Sequence, residues 1–466
     1  MPELLFYGAA GEVTGSMHML HVNGHWVALD CGLYQGKRAD AEHKNREWPM
    51  RPQDIAAVVL SHAHIDHTGR LPLLVKQGFD GPVYATPATR DLCAIMLPDS
   101  AHVQEEDVFY VNKKRARQGL PPIEALYDYD DALAAVDRIV SEPMNRRFEV
   151  VPGVTATYQD AGHMLGSAGV RLELKKNGNG AATSLFFTGD VGGPDKPIIR
   201  DPAPLPEVEY VLSESTYGGR NHETVDEARE TLRDAVKRTL DRGGKVVIPS
   251  FAVGRTQTLV YYLHQMMVAK ELPRVRVYVD SPLAVDATAI FKLHPECYDA
   301  EARAFHKVTG DILGGSCCTY IQTVEQSKAL HGRDEPCVII SASGMCEAGR
   351  VRHHIKNNIE DPRNTILFPG FQAAETLGRR LIEGAKKITL FHEEYQVRAQ
   401  VVQIHGFSGH ADQAELLALL SPRARSAASL FLVHGEPDQA SALAQQARRA
   451  GYRRAEAGQR GQSVKL

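Results

Sequence analysis

Apolar positions along the chain follow two different periods. Through the first two hundred residues they come in short runs or at alternate positions, broken by Gly and Asn. "MHMLHVNGHWVALD", Met17 to Asp30, sets two apolar strands about Asn23-Gly24, a pair that favours the type I′ turn of a hairpin. "IAAVVLS", Ile55 to Ser61, is a short β-branched run of the buried kind. "FEVVPGVTATYQ", "GVRLELKKNGNGAATSLFFTGD" and "EVEYVLSES" continue the strand pattern, with a turn expected over Lys175 to Gly180. Between Ala88 and Arg138 the pattern is helical. After Tyr217 the period lengthens: "ETVDEARETLRDAVKRTLDRGG" reads as an amphipathic helix stopped by Gly243-Gly244, and "KVVIPS" as a strand. Helix "GRTQTLVYYLHQMMVAK" and strand "RVRVYVDS" follow, and the alternation runs on to about Lys387. Such alternation predicts a parallel sheet with helices on its faces. From about Val397 a strand, a helix, the strand "SLFLVHGE" and a final helix are expected. No internal repeat is visible.

Length and composition narrow the class. At 466 residues the chain is too long for one ordinary core, so two domains are expected. Nothing approaches the roughly 18 consecutive apolar residues of a membrane span, and "MPELLFYGAAGEV" has no basic region ahead of an apolar one. Seven cysteines form an odd set with no C-x-x-C pair, which argues for reduced thiols in a cytoplasmic protein. A net charge of −4 removes a globally basic surface as an argument for nucleic acid, although a local basic channel would suffice. The run "NKKRARQG", with Lys113, Lys114, Arg115 and Arg117, reads as a solvated helix end.

Candidate chemistry concentrates in "VVLSHAHIDHTGRLP", Val58 to Pro72. His62 and His64 stand two apart at a strand end, so both imidazoles point to one side. Asp66 and His67 follow where a helix begins. Three imidazoles and a carboxylate suit zinc or another borderline first-row metal. One short loop cannot easily close a tetrahedron around a single ion. Shared between two ions, these ligands demand partners from elsewhere in the chain. His163 in "QDAGHMLGSAG", Asp190 in "LFFTGDVGG", His410 in "HGFSGHADQ" and His434 in "LFLVHGEPD" all stand at expected strand ends next to glycine.

H-x-H-x-D-H followed by a lone His and then a lone Asp resembles the metallo-β-lactamase fold, an α/β architecture in which an αββα sandwich holds two metals at the edge of its sheets. The resemblance implies one zinc on His62, His64 and His163 and a second on Asp66, His67 and His434, with Asp190 bridging. It also implies that Asp30, in "VALDCGLYQG", supports the ligands without binding metal. "SESTYG" with Glu214, "FSGHAD" with His410 and "LVHGE" with His434 are similar to motifs A, B and C of the β-CASP subgroup of nucleases. "PSFAVGRTQ", "DSPLA", "SASGM" and "FPGFQAAETLGRRL" resemble the same subgroup. The chain then divides into a first metallo-β-lactamase part (1–216), an inserted parallel-sheet β-CASP domain (217–390) and a C-terminal metallo-β-lactamase part (391–466). Histidine at motif C is similar to the RNA-acting branch, which includes bacterial and archaeal members related to mRNA 3′-end cleavage factors.

Chemistry argues in the same direction. Two zinc ions about 3.5–4 Å apart hold a hydroxide and clamp a phosphoryl oxygen, and manganese fits the same ligand types. In-line attack then needs a proton for the departing ribose O3′. His410, outside the metal set, suits that task, and Glu214 would hold its tautomer and favour the imidazolium. The products would carry a 5′-phosphate and a 3′-hydroxyl. Asp66 and Asp190 count as catalytic through the metals. Arg255 at a helix start, Ser343-Gly344 before another helix, Arg379 with Arg380, and Ser408 are candidate phosphate donors. Single-stranded RNA is the expected substrate and partner, no membrane is involved, and a homodimer is open by analogy. Two competing readings are a small-molecule ester or thioester hydrolase, which would not need the large insertion, and a non-catalytic RNA-binding subunit, which would not need every ligand.

Overall fold

A computed structural model describes residues 1–36, 38–175 and 182–466. Most of the turn expected over Lys175 to Gly180 lies outside the described residues. The chain forms two compact units: residues 1–194, 201–221 and 410–466 make the first, and residues 195–200 and 222–409 the second.

The first unit is a sandwich of two seven-stranded sheets. One sheet is built around the hairpin His18–Val22 and His25–Leu29, whose Asn23 (φ 52) and Gly24 (φ 86) take the left-handed turn that their sequence favours. The strand Ile55–Val59 pairs parallel to that hairpin. The other sheet contains Val154–Asp160, Ala168–Leu174, Thr183–Phe187, Tyr210–Glu214 and Ser429–Val433. Alternate residues of both sheets meet in a core that includes Phe6, Leu20, Leu29, Val59, Tyr158, Leu172, Phe187 and Phe431. Outside the second sheet, Leu416, Leu420, Leu443 and Ala447 of helices Gln413–Leu420 and Pro437–Ala450 pack on Val211, Leu430 and Leu432. Helices Pro87–Arg117 and Tyr129–Asp137 pack together, and the first also contacts the edge strand of the first sheet, Ile139–Ser141. This is the αββα arrangement. Two three-residue strands after the final helix, Ala455–Ala457 and Ser463–Lys465, extend the sheets beyond what the pattern predicts.

The second unit carries a six-stranded sheet in which every neighbouring pair is parallel. Its helix Val225–Asp241 opens with a capping box from Thr224 and Glu227, and Arg255–Val268 follows the strand Val246–Pro249. The return to the sandwich was expected at residue 391. The strand Gln400–Gln403 instead pairs with Thr365–Phe368 as the edge of the parallel sheet, and the units divide between Gly409 and His410. All seven cysteines are free thiols.

Candidate metal centre and active site

The metal-capable side chains stand where strands of the first unit end. His62 and His64 follow Ile55–Val59, and His64 is the cap residue of the short helix Ile65–Thr68 that carries Asp66 and His67. Asp190 follows Thr183–Phe187, His434 follows Ser429–Val433, and Glu214 ends Tyr210–Glu214. His163 sits in the connection between Val154–Asp160 and Ala168–Leu174, where the Ser167 hydroxyl accepts from the His163 and Met164 amides. Gly32 is required beside this loop, because a Cβ there would lie 1.6 Å from the Asp66 carbonyl oxygen. Asp30 (φ 62) and His434 (φ 48) are both held in left-handed backbone, a cost of the kind that collects at functional sites.

Two sets of donor atoms converge. His62 Nε2 and His163 Nε2 each lie 3.1 Å from His64 Nδ1. Asp190 Oδ2 closes that set at 3.5 Å from His62 Nε2 and 3.6 Å from His163 Nε2. In the other set His67 Nε2 is 3.2 Å from His434 Nε2 and 3.3 Å from Asp190 Oδ2, and Asp66 Oδ2 is 3.5 Å from His434 Nε2. A tetrahedral ion with bonds of about 2.0–2.1 Å separates its ligands by about 3.3–3.4 Å, so both sets have the edge lengths of a zinc cage. The buried Asp190 Oδ1 atom has no hydrogen-bond partner among the described residues and lies 3.5 Å from His434 Nδ1, as suits a carboxylate that faces cations. The residues present therefore fit a metal; Asp190 groups with His62, His64 and His163 and again with Glu214, His410 and His434, and its Oδ2 lies 3.3 Å from His67 Nε2.

Outer contacts aim the rings. The Asp30 carboxylate takes the Ser16 and Ser61 hydroxyls, the Ser61 amide and His67 Nδ1, the last at 2.7 Å, which leaves His67 Nε2 for the inner set. Ser61 Oγ meets His62 Nδ1 at 3.0 Å, and Thr216 Oγ1 meets His434 Nδ1 at 3.1 Å. Partners of this kind fix which nitrogen is offered to a metal. Ser16, Ser61 and Thr216 escaped the sequence reading. Their one signal is adjacency, in "VTGSM", "LSHAH" and "SESTYG".

Electrostatics follow from burial among these groups. Burial pushes the His62 pKa down, and neighbouring His67 lowers it further, so the ring stays neutral as a ligand must. For Asp190, burial acts upward, but the surrounding histidines, His434 first, hold the carboxyl well below its usual range. His410 is different. Its Nδ1 lies 3.1 Å from Glu214 Oε2 and 3.2 Å from Oε1, and Glu214 also accepts from the Val191 amide. Burial lowers the His410 pKa, but Glu214 and then Asp190 outweigh it and push it up to about 9. Tyr217 meets the ring edge-on at 6.1 Å between centroids.

Three family models match the chain in succession. They are described as a Beta-lactamase superfamily domain (residues 25–239), a Beta-Casp domain (256–381) and a Zn-dependent metallo-hydrolase RNA specificity domain (394–457). "Ribonuclease TTHA0252" of Thermus thermophilus is 35% identical over 438 residues, which is 94% of each chain. The chain belongs to the β-CASP family of metallo-β-lactamase-fold hydrolases. "Transcription termination factor FttA" of Methanosarcina mazei is 33% identical over 445 residues, 92% of this chain and 66% of that relative. The chain thus spans about two thirds of that archaeal protein. A solved structure of a protein of unknown function from Enterococcus faecalis shares the fold, with a TM-score of 0.56 at 12% identity over the full length of both chains.

In this β-CASP protein the candidate phosphate donors all belong to the second unit. Arg255 is the first residue of its helix, as expected, and its guanidinium lies over the Phe407 ring at 6.0 Å. Ser343-Gly344 does not immediately precede a helix, since Val351–Asn358 begins seven residues after Gly344. Arg379 Nε donates to Glu383 Oε1 at 2.7 Å across one turn of Leu377–Ile382, an ordinary surface-helix pair. The Ser408 carbonyl accepts from Lys196. Among the described residues no helix is long and apolar enough to cross a membrane. The basic run ends helix Pro87–Arg117, with Lys113, Lys114 and Arg117 exposed.

Proposed function

We propose that this protein is a zinc-dependent ribonuclease that hydrolyses phosphodiester bonds of single-stranded RNA and leaves 5′-phosphate and 3′-hydroxyl ends. One observation carries the reading: two donor sets with edge lengths near those of a zinc cage both approach Asp190, and a hydrogen-bonded His410–Glu214 pair stands beside them. His62, His64 and His163 would hold one ion and Asp66, His67 and His434 the other, with Asp190 between. Zinc ions bound there, or manganese in their place, supply Lewis acidity to a water nucleophile and to the phosphoryl oxygens.

The chain's own residues do the rest. Asp30, Ser61 and Thr216 hold the ligand rings by their outer nitrogens. His410 binds Glu214 through Nδ1, so Nε2 is the nitrogen that delivers a proton to the departing O3′. Glu214 keeps the ring charged until transfer. The similarity to a Thermus ribonuclease and the match of residues 394–457 to an RNA specificity domain support RNA as substrate. A non-catalytic role is not favoured, because the full donor set and its tautomer-fixing partners are present.

The test is cleavage of end-labelled single-stranded RNA by zinc-loaded protein, with His64→Ala in parallel. Wild type cleaves and the variant does not. Equal cleavage by both, or none by wild type across zinc, manganese and several RNA lengths, overturns the proposal.

A further inference from the structure

The second unit exposes two phenylalanines beyond the C-terminal ends of its central strands. The neighbouring strands Cys337–Ser341, Val246–Pro249 and Thr365–Phe368 lie side by side and run parallel. Beyond their C-terminal ends the chain leaves through Gly344, Phe251 and Phe371. Phe251 is 54% exposed and Phe371 is 56% exposed, in loops braced to one another. A Cβ on Gly344 would lie 3.3 Å from Phe251 Cδ2, so the ring rests on the Gly344 backbone. Buried Gln372 donates through Nε2 to both the Gly344 and the Phe371 carbonyls, each at 3.0 Å. Four residues after Phe251 the 14-residue helix Arg255–Val268 begins, and the guanidinium of its first residue lies 6.0 Å from the Phe407 ring.

Water-exposed aromatic rings held on braced backbone present flat apolar faces whose burial by a ligand is favourable. We propose that Phe251 and Phe371 form a base-stacking platform for single-stranded RNA, with Arg255 and its helix start receiving the adjoining phosphate. Three observations favour RNA over a protein partner. The Phe251 ring rests on the Gly344 backbone, and the Gly344 and Phe371 carbonyls are both held by Gln372, so polar backbone adjoins the rings. Aromatic faces beside a cation and amide donors match the repeat of base and phosphate in a nucleotide strand. The crevice outside the carboxyl ends of parallel strands is also where open α/β sheets take ligands. Stacking reads every base, so the platform gives affinity without sequence preference.

The inference rests on the ribonuclease reading and is tested by binding apart from cleavage. The full chain is titrated, in chelator so that no RNA is cut, with fluorescein-labelled oligoadenylate and with a matched oligonucleotide lacking bases. Phe251→Ala and Phe371→Ala each weaken oligoadenylate binding on the order of tenfold. Both leave the abasic affinity unchanged, and Phe251→Trp and Phe371→Trp restore binding. Alanine variants that bind oligoadenylate like wild type overturn the platform, and if wild type still cleaves RNA the ribonuclease reading survives. Equal losses on both oligonucleotides also overturn it, as does unchanged RNA affinity with lost self-association in light scattering, which assigns the rings to protein docking. A wild type that neither binds nor cleaves RNA overturns both.

Discussion

His410 Nδ1 lies 3.1 Å from Glu214 Oε2, although the two residues stand 196 positions apart. In the proposed mechanism the pair separates proton delivery from metal binding. His410→Ala is therefore expected to keep its full metal content while the rate falls about 10²–10⁴-fold, the usual share of general-acid catalysis. Metal analysis on the same sample as the rate measurement checks this. Loss of metal together with rate contradicts the assignment.

The same contact sets a pH dependence. In the proposed mechanism the acid form of His410 is the active one, so activity is expected to hold below its pKa and to fall as pH rises through it. Glu214 is the main group that raises this pKa to about 9. Bound cations act against Glu214, so in the loaded enzyme the alkaline limb lies lower. Glu214→Gln removes the raising charge, and the alkaline limb of kcat/KM is expected at still lower pH. An unmoved limb assigns it to another group.

Thr216 contacts His434 Nδ1 and Asp30 contacts His67 Nδ1, and both rings serve the set containing Asp66. Thr216→Val is expected to weaken metal binding about 10–100-fold by competition with a chromophoric chelator, and Asp30→Asn by at least as much. The set built on His62, His64 and His163 touches Asp30 only through Ser61, so its affinity should fall less. Uniform weakening of both sites would contradict this division.

In the second unit a fully buried Asp280 receives His354 Nε2 at 2.6 Å and Arg350 Nη1 at 2.7 Å. Burial acts to raise the Asp280 pKa, and hydrogen bonds from His354, Ser327 and Arg350 reverse it to below the usual carboxyl value. A depressed pKa contributes stability above the unfolded value of about 3.9 that disappears as pH falls through the folded one. Asp280→Asn is expected to cost about 3–5 kcal/mol at neutral pH, as for one partner removed from a buried pair. The difference from wild type shrinks below about pH 3.9, and denaturant titration followed on the second unit reads it.

What the sequence made legible divides along physical lines. The hairpin at Asn23-Gly24 and the metal-capable cluster in "HAHIDH" were readable because turn chemistry and donor spacing are local. The boundary at Gly409 was not, because "AQVVQIHG" has the same strand pattern whichever sheet takes it, and only its pairing with Thr365–Phe368 decides. The edge strand Ser463–Lys465 is too short to carry a period, and it exists through its pairing with the strand Glu3–Phe6. Thr216 and Ser61 look like ordinary turn hydroxyls until the fold brings imidazole nitrogens to them.

Cleavage of single-stranded RNA in ¹⁸O-labelled water, with and without chelator, tests the central claim most directly. The account predicts one solvent oxygen in each new 5′-phosphate, a 3′-hydroxyl on the other product, and no reaction in chelator. Cleavage that survives chelation, or that leaves 2′,3′-cyclic phosphate and unlabelled 5′-hydroxyl ends, would contradict it.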